Sequence, residues 1–429
     1  MNSRIIKIIS FTMASVAMFA TSCKKNYTNP AAATDAQVFS SPQGLTGVAV
    51  GLQRIYAAGR ASNLYNRVSA DGLLTLQDSV VNQGNTAEYQ LSIGAVDGTN
   101  TMMAGLWTSS NKLIYEADRV LAGAANVPDK GYASGLIAYA SIFKALALGD
   151  LSMFWEKVPA ATGPSVAFED RMEGFNRAIA TLDAALAAIA AAPISASFIS
   201  NVPPGIDIIN TIHALKARFA IFIGNNALAL SEANAVDLTK KSTLNFSSVN
   251  LNPIFETVTS TNNVYVPKDS TMGLPPSLAP NLADKRVPFY ISTNATNPRF
   301  RVAGFGATST TAWPLYLPGE MTLIKAEAYA RQNDLVNALI ELNKIVTKTP
   351  ASDPFGVGAD LPPIVGPLTQ AQLLTEIYRQ RAIELYFSGL RMEDMRRFGR
   401  PNSEKKRNFL PYPFQERDNN PNTPPDPTF

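Results

Sequence analysis

The residues of this chain best placed to act together lie near its C-terminus, in RQRAIELYFSGLRMEDMRRFG, residues 379–399. Arg381 and Glu384 stand three apart, as do Arg391 and Asp394, and Asp394 and Arg397. On a helix, residues at that spacing are neighbours, and opposite charges there attract. Leu385, Tyr386, Phe387, Leu390, Met395 and Phe398 lie among them, so the charges are expected to be partly buried and paired. Gly389 interrupts the run and predicts a helix end with a change of direction. The chemistry spelled here is ion pairing that ties helices together.

Motifs for turnover are weak by comparison. Ser109 and Lys112 satisfy S-x-x-K, but S-D-N and K-T-G partners are missing and the pair falls inside a helical pattern. GFGATS, residues 304–309, starts like a glycine-rich nucleotide loop without its third glycine or a βαβ setting. There is no P-loop and no G-x-S-x-G. A glycosidase needs only two carboxylates about 5–10 Å apart, and no spacing here sets up such a pair. His213 is the only histidine, in the apolar run IINTIHALKARFAIFI, and reads as a packing residue. With Cys23 the only cysteine, an intrachain disulfide is excluded, and neither a Cys/His metal site nor a cofactor is expected.

The N-terminus carries an address. Arg4 and Lys7 precede an apolar stretch from Ile8 to Ala20, and Ala20, Thr21 and Ser22 lead into Cys23. This reads as a signal peptide over residues 1–22. A sole cysteine at that point resembles a bacterial lipobox, in which the cysteine is lipidated and becomes the first residue. The formal net charge is +3, and loss of Arg4 and Lys7 leaves about +1, which gives no basic footprint for nucleic acid.

The elements that must hold the C-terminal charges follow. Residues 23–40 are polar and small, with Asn29-Pro30, and read as a lipidated flexible tether. A single domain is expected over 41–429. Apolar faces at helical spacing cover 42–58, 107–121 and 132–148, then the pair 172–192 and 209–235. A hairpin over 319–331 and 334–348 follows, and a last pair begins near Leu368. Such pairs look like tetratricopeptide-type units that bury a shared face by stacking. Two long stretches, 63–105 and 246–318, are rich in Asn, Gly, Ser and Thr and read as irregular, with strand-like pieces at 263–266 and 299–303. Loops of that length are usually functional.

The C-terminal segment resembles the motif of the SusD/RagB family of outer-membrane nutrient-binding lipoproteins, roughly ER-x-x-EL-x-FEG-x-R-x-x-D-x-x-R-[WF]-G. Arg381, Glu384, Leu385, Phe387, Gly389, Arg391, Asp394, Arg397, Phe398 and Gly399 fall on it. Gln380 and Ser388 stand where the family usually has Glu, which puts particular ion pairs in doubt. WTSSNKLIYEADRVL (107–121), LADKRVPFY (282–290), LPGEMTLIKAEAYARQND (317–334), ALIELNKIV (338–346) and FLPYPFQERDNNP (409–421) are similar to further family segments, in order.

The resemblance implies a mostly α fold: a tetratricopeptide-like helix-pair scaffold with long irregular loops and a few short strands. It implies a lipid-anchored protein of the outer membrane, facing the cell surface. Its function would be non-catalytic binding of a nutrient, a glycan or oligosaccharide, for delivery to a SusC-like TonB-dependent barrel. A peptide-binding member, a lipoprotein glycoside hydrolase and a ligand-free helical scaffold are the competing classes. The family's ligand site is a shallow surface of loops in which aromatic faces stack on sugar rings. On that basis Tyr65, Asp71 and Tyr89 in the first loop region are candidate contacts. In the second they are Tyr265, Tyr290, Arg301, Phe305 and Trp313. Trp107, opening a helix, reads as core.

Overall fold

The structure is a computed structural model and describes residues 34–429. Cys23, the signal peptide and most of the expected tether lie outside the described residues.

The scaffold is built from twelve longer helices: α1 (Pro42–Ala57), α2 (Asn63–Leu74), α3 (Thr86–Ile93), α4 (Thr101–Ala124), α5 (Lys130–Phe154), α6 (Arg171–Ala191), α7 (Ile208–Phe222), α8 (Asn226–Ala235), α9 (Pro318–Arg331), α10 (Leu335–Val346), α11 (Gln370–Glu384) and α12 (Arg391–Arg397). Most begin at a residue that can cap them. Ser41, Ser62, Asn100, Asp129, Asp170, Asp207 and Thr369 each accept a backbone N–H of the first turn, which satisfies a donor the helix itself leaves unpaired. Thr369 does so in a reciprocal capping box with Gln372.

Stacking follows the chain. α4 packs on α5, α5 on α6, α6 on α7, α7 on α8, α8 on α9, and α9 on both α10 and α11. α5 is apolar enough to span a membrane by length and composition, yet it is the central core helix and almost wholly buried. One large hydrophobic core runs through the bundle, and Leu323, Ala326, Ala338, Leu342, Leu373 and Ile377 form a second where α9, α10 and α11 meet.

The strands are short and pair in twos: β1 (Asp78–Val80) with β5 (Tyr265–Pro267), β2 (Lys157–Pro159) with β3 (Phe168–Asp170), β4 (Thr243–Leu244) with β8 (Trp313–Pro314), and β6 (Ile291–Thr293) with β7 (Phe300–Val302). All four pairings are antiparallel.

Three expectations need correction. Residues 63–105 are mostly helix, and every residue of α2 is buried. The polar residues that made α2 read as a loop are paired inside: Asn63 donates to Ser110 Oγ and Asp150, and Ser69 bonds Tyr265. The pattern at 209–235 breaks at Gly224, whose φ of +77° ends α7 and lets α8 start. The tether is also shorter than expected. Asp35–Phe39 is a helix capped by Thr34 that packs on α1 and α4, with Asp35 held by Arg119 at 2.7 Å.

Candidate functional site

At the C-terminal corner the charges pair, but mostly not along the helix. Arg381 donates through Nε and Nη2 to both oxygens of Asp394, at 2.9 Å each. Arg397 adds a bond to Asp394 at 2.8 Å and a two-pronged contact to Glu327 of α9, at 2.7 and 2.9 Å. Glu384 turns instead to Arg286 and Lys348. Arg391 makes no pair with Asp394; its Nη2 donates to the carbonyls of Met272 and Ala382. Only one of the three expected pairs, Asp394 with Arg397, forms within its own helix. The cause is Gly389, at φ +77°, which ends the turn after α11 and folds α12 back so that Asp394 faces Arg381. Gln380, where the family has Glu, accepts from Arg286 and donates to Glu376.

Burial raises the carboxyl of Asp394, but Arg381 and Arg397 outweigh it and hold it below its ordinary value. Glu327 is lowered in the same way, against burial, by Arg397, then Arg381 and Arg331. These groups are ionised and enclosed, which suits a structural pin.

The candidate ligand residues divide. Tyr65 is fully buried and donates to Glu88 at 2.8 Å; Tyr265 is fully buried against Ser69. Asp71 is 1 % exposed and accepts the backbone N–H groups of Arg391 and Met392, which caps α12 across the fold. Tyr290 donates to the carbonyl of Glu384 at 2.6 Å, and Trp313 is buried on β8. These five cannot meet a ligand at the surface. They anchor the loops to the bundle, because a large ring or carboxyl in a long loop is the group best able to fix it there. Tyr290, Trp313, Phe289, Phe305 and Phe355 form one aromatic cluster that fastens the second loop region.

Tyr89, Arg301 and the half-buried Phe305 do reach the surface. Arg301 belongs to a layer that joins the two loop regions, and Tyr89 lies on α3, which packs on the β1 edge of it. β1 pairs with β5, Val81 N–H donates to Val264, and Asn85 donates to the Asn263 carbonyl. β7 lies against β5, so the β6–β7 hairpin extends the layer. Strand alternation puts Val302 inward and Arg301 outward, opposite Ser292. The rim residues Asn82, Asn263, Asn294, Thr296 and Arg299 are exposed, and Arg299 sits over the Phe300 ring at 5.7 Å. Sequence reasoning names Arg301 but none of these five; Asn82 apart, they lie in the strand-like pieces at 263–266 and 299–303 or in the turn before 299. Amide and guanidinium donors beside a part-exposed ring suit a ligand with many hydroxyls and an apolar C–H face.

Other expectations resolve simply. Trp107 is core, and its Nε1–H donates to Glu416 at 3.0 Å. Ser109 lies within α4 and donates to the Gly105 carbonyl, which accounts for it without Lys112. His213 is half-buried, with Nδ1 2.6 Å from Glu232. Among the described residues, no group of three or more His, Cys, Asp or Glu could hold a metal ion.

Residues 304–426 match the model of the SusD family. Solved structures share the fold at low identity. A SusD-like protein from Bacteroides fragilis is 13% identical, with a TM-score of 0.70 over 92% of this chain and 99% of that one. A SusD-like carbohydrate binding protein from the same species is 14% identical, with a TM-score of 0.67 over 90% and 100%. A laminarin binding SusD-like protein is 15% identical, with a TM-score of 0.64 over 90% and 99%. No curated protein matches the chain significantly by sequence.

Proposed function

This chain belongs to the SusD/RagB family, and on that premise we propose that it binds a glycan without turning it over and passes it to a SusC-like TonB-dependent barrel. In this reading Cys23 is lipidated and anchors the protein to the outer membrane, facing the cell surface. Several acyl chains together give stable anchoring where one would not. The observation that carries the proposal is the loop layer: an exposed rim of Asn, Thr and Arg with a part-exposed aromatic, mounted on a rigid helical bundle.

The test is calorimetric titration of the protein with neutral glucan oligosaccharides and a peptide panel. Arg301→Ala and Tyr89→Ala are compared with wild type, and circular dichroism serves as the folding control. Wild type should bind a glycan, and each variant should weaken it by about 1–3 kcal/mol, roughly 5- to 150-fold. Release of shortened glycan would replace this reading by a hydrolase. Binding of peptides alone would assign the protein to a peptide-binding class.

A further inference from the structure

A second feature lies outside the loop layer. α6, the α7–α8 turn, α9, α11 and α12 enclose an open groove of about 810 Å³. Four guanidinium groups line it, those of Arg171, Arg331, Arg396 and Arg397, against the single carboxylate of Glu393. The carboxylates these guanidinium groups bond to are already shared. Glu393 takes Arg171 at 2.8 Å and Arg396 at 2.9 Å. Glu327 takes Arg331 and Arg397, and Asp394 takes Arg397 and Arg381. Five guanidinium groups thus rest on three carboxylates.

The excess charge is poorly hydrated. The side chains of Arg396 and Arg397 are only 9% and 7% exposed. Arg396 Nε and Arg397 Nη1 are buried donors with no partner among the described residues. Burial lowers Arg396 to about 10; Glu393 opposes that shift and Arg171 adds to it. Uncompensated charge in such a place is costly, and an anion entering the groove would offset it. Guanidinium forks match carboxylates in two-pronged geometry.

We propose that this groove is a second binding site, for a uronate unit of a saccharide. The arginines take the carboxylate, and Asn176, Asn226 and Gln370 offer amides to ring hydroxyls. Met172 and Leu374, both half-buried, supply apolar surface for the ring. No lining residue lies on a strand or in the 246–318 loops, so the groove offers no sheet edge along which an extended acidic peptide could pair. The saccharide class rests on the glycan-binding reading; the charge does not.

The experiment titrates the full chain with digalacturonate, uncharged digalactose, inorganic sulfate and a Glu-rich hexapeptide, at low and high salt. Digalacturonate should bind about tenfold or more tighter than digalactose at low salt, and weaken as salt rises. Arg331→Gln leaves Glu327 with Arg397, and Gln370→Glu places an acid at the exposed first turn of α11, where it favours that helix but gives up the Gln370 bond to the Ala330 carbonyl. Each should weaken digalacturonate about tenfold or more and leave unchanged the binding of neutral glucan oligosaccharides, which is assigned to the loop layer. No digalacturonate binding, or affinity equal to that for digalactose, overturns the proposal. Equal affinity for sulfate or the hexapeptide also overturns it, since the site would then read charge alone. Digalacturonate binding without any neutral-glycan binding would leave this site standing and remove the loop-layer reading.

Discussion

Arg381 in the C-terminal corner and Arg301 in the β6–β7 hairpin are the same residue put to opposite uses. Arg381 is fully buried, and two of its nitrogens are fixed on Asp394. Arg301 is partly exposed and, among the described residues, bonds only within its own hairpin, to the Phe300 carbonyl and the Thr296 hydroxyl. In the corner, each charge has lost its water and depends on its partner, so removing one strands the other. In the loop layer, water can replace any bond, so a side chain is free to serve a ligand. Burial, more than residue type, separates the pin from the contact.

Asp394→Ala tests that contrast with the largest expected effect. It leaves Arg381 buried without its carboxylate and takes one partner from Arg397. Loss of one partner of a buried pair typically costs about 3–5 kcal/mol. Arg301→Ala should stay within about 0.5 kcal/mol, as surface substitutions usually do. Urea denaturation of both variants measures the gap, and equal midpoints would break the comparison. The folded fraction of Asp394→Ala should still bind ligand. Acid sharpens the point. Asp394 and Glu327 have lowered values in the folded state, so their stabilisation is present above the ordinary carboxylate range and is lost as pH falls below it.

Gly319→Ala probes how tightly the corner is built, with a smaller effect. A Cβ at Gly319 would collide with Glu384 Oε1. A free carboxylate would swing aside, but Glu384 is held by Arg286 and Lys348. Overpacking of this kind costs roughly 1–3 kcal/mol. An unchanged melting temperature would mean that Glu384 is looser than its partners imply.

The corner was more legible in the sequence than the loop layer, for physical reasons. Charges among apolar residues at helical spacing can only be buried and paired, so Arg381, Glu384, Arg391, Asp394 and Arg397 could be read as structural. Their partners could not be read, because Gly389 redirects the chain and Glu327, Arg286 and Lys348 come from elsewhere. Most helices showed in their periodicity; α2 and α3 were read as loop, and α7 and α8 as one helix, and the polar residues of α2 find partners only once the fold has formed. In the loops, aromatic rings mark where a segment is fastened as readily as where it meets a ligand. Tyr65, Tyr265, Tyr290 and Trp313 fasten; nothing local distinguishes them from Tyr89.

Asp78 lies at the seam between the two regions, on β1 of the loop layer and beside Asp71, which caps α12 of the corner. Neither of its carboxyl oxygens has a hydrogen-bond partner by geometry among the described residues. Burial, and then the charge of Asp71, push its carboxyl well above the ordinary value, so it stays protonated where an exposed aspartate would ionise. The sign follows. The unfolded chain gives up this proton first, near pH 3.9 or so. The contribution of Asp78 to stability is therefore whole below that point and declines as pH rises toward the folded value. Asp78→Asn cannot ionise and removes that decline. Its amide N–H groups are new buried donors, costing about 1–3 kcal/mol each if unmet, and Asp71 and the Tyr386 hydroxyl are the groups beside it. The two effects oppose, so the net change is expected to be smaller than that of Asp394→Ala or Gly319→Ala. Thermal melts should show the variant gaining on wild type between pH 4 and pH 8. A variant that instead loses ground as pH rises would mean that Asp78 is ionised and paired. The seam would then be held by charge, as the corner is, and not by a neutral acid packed beside a charged one.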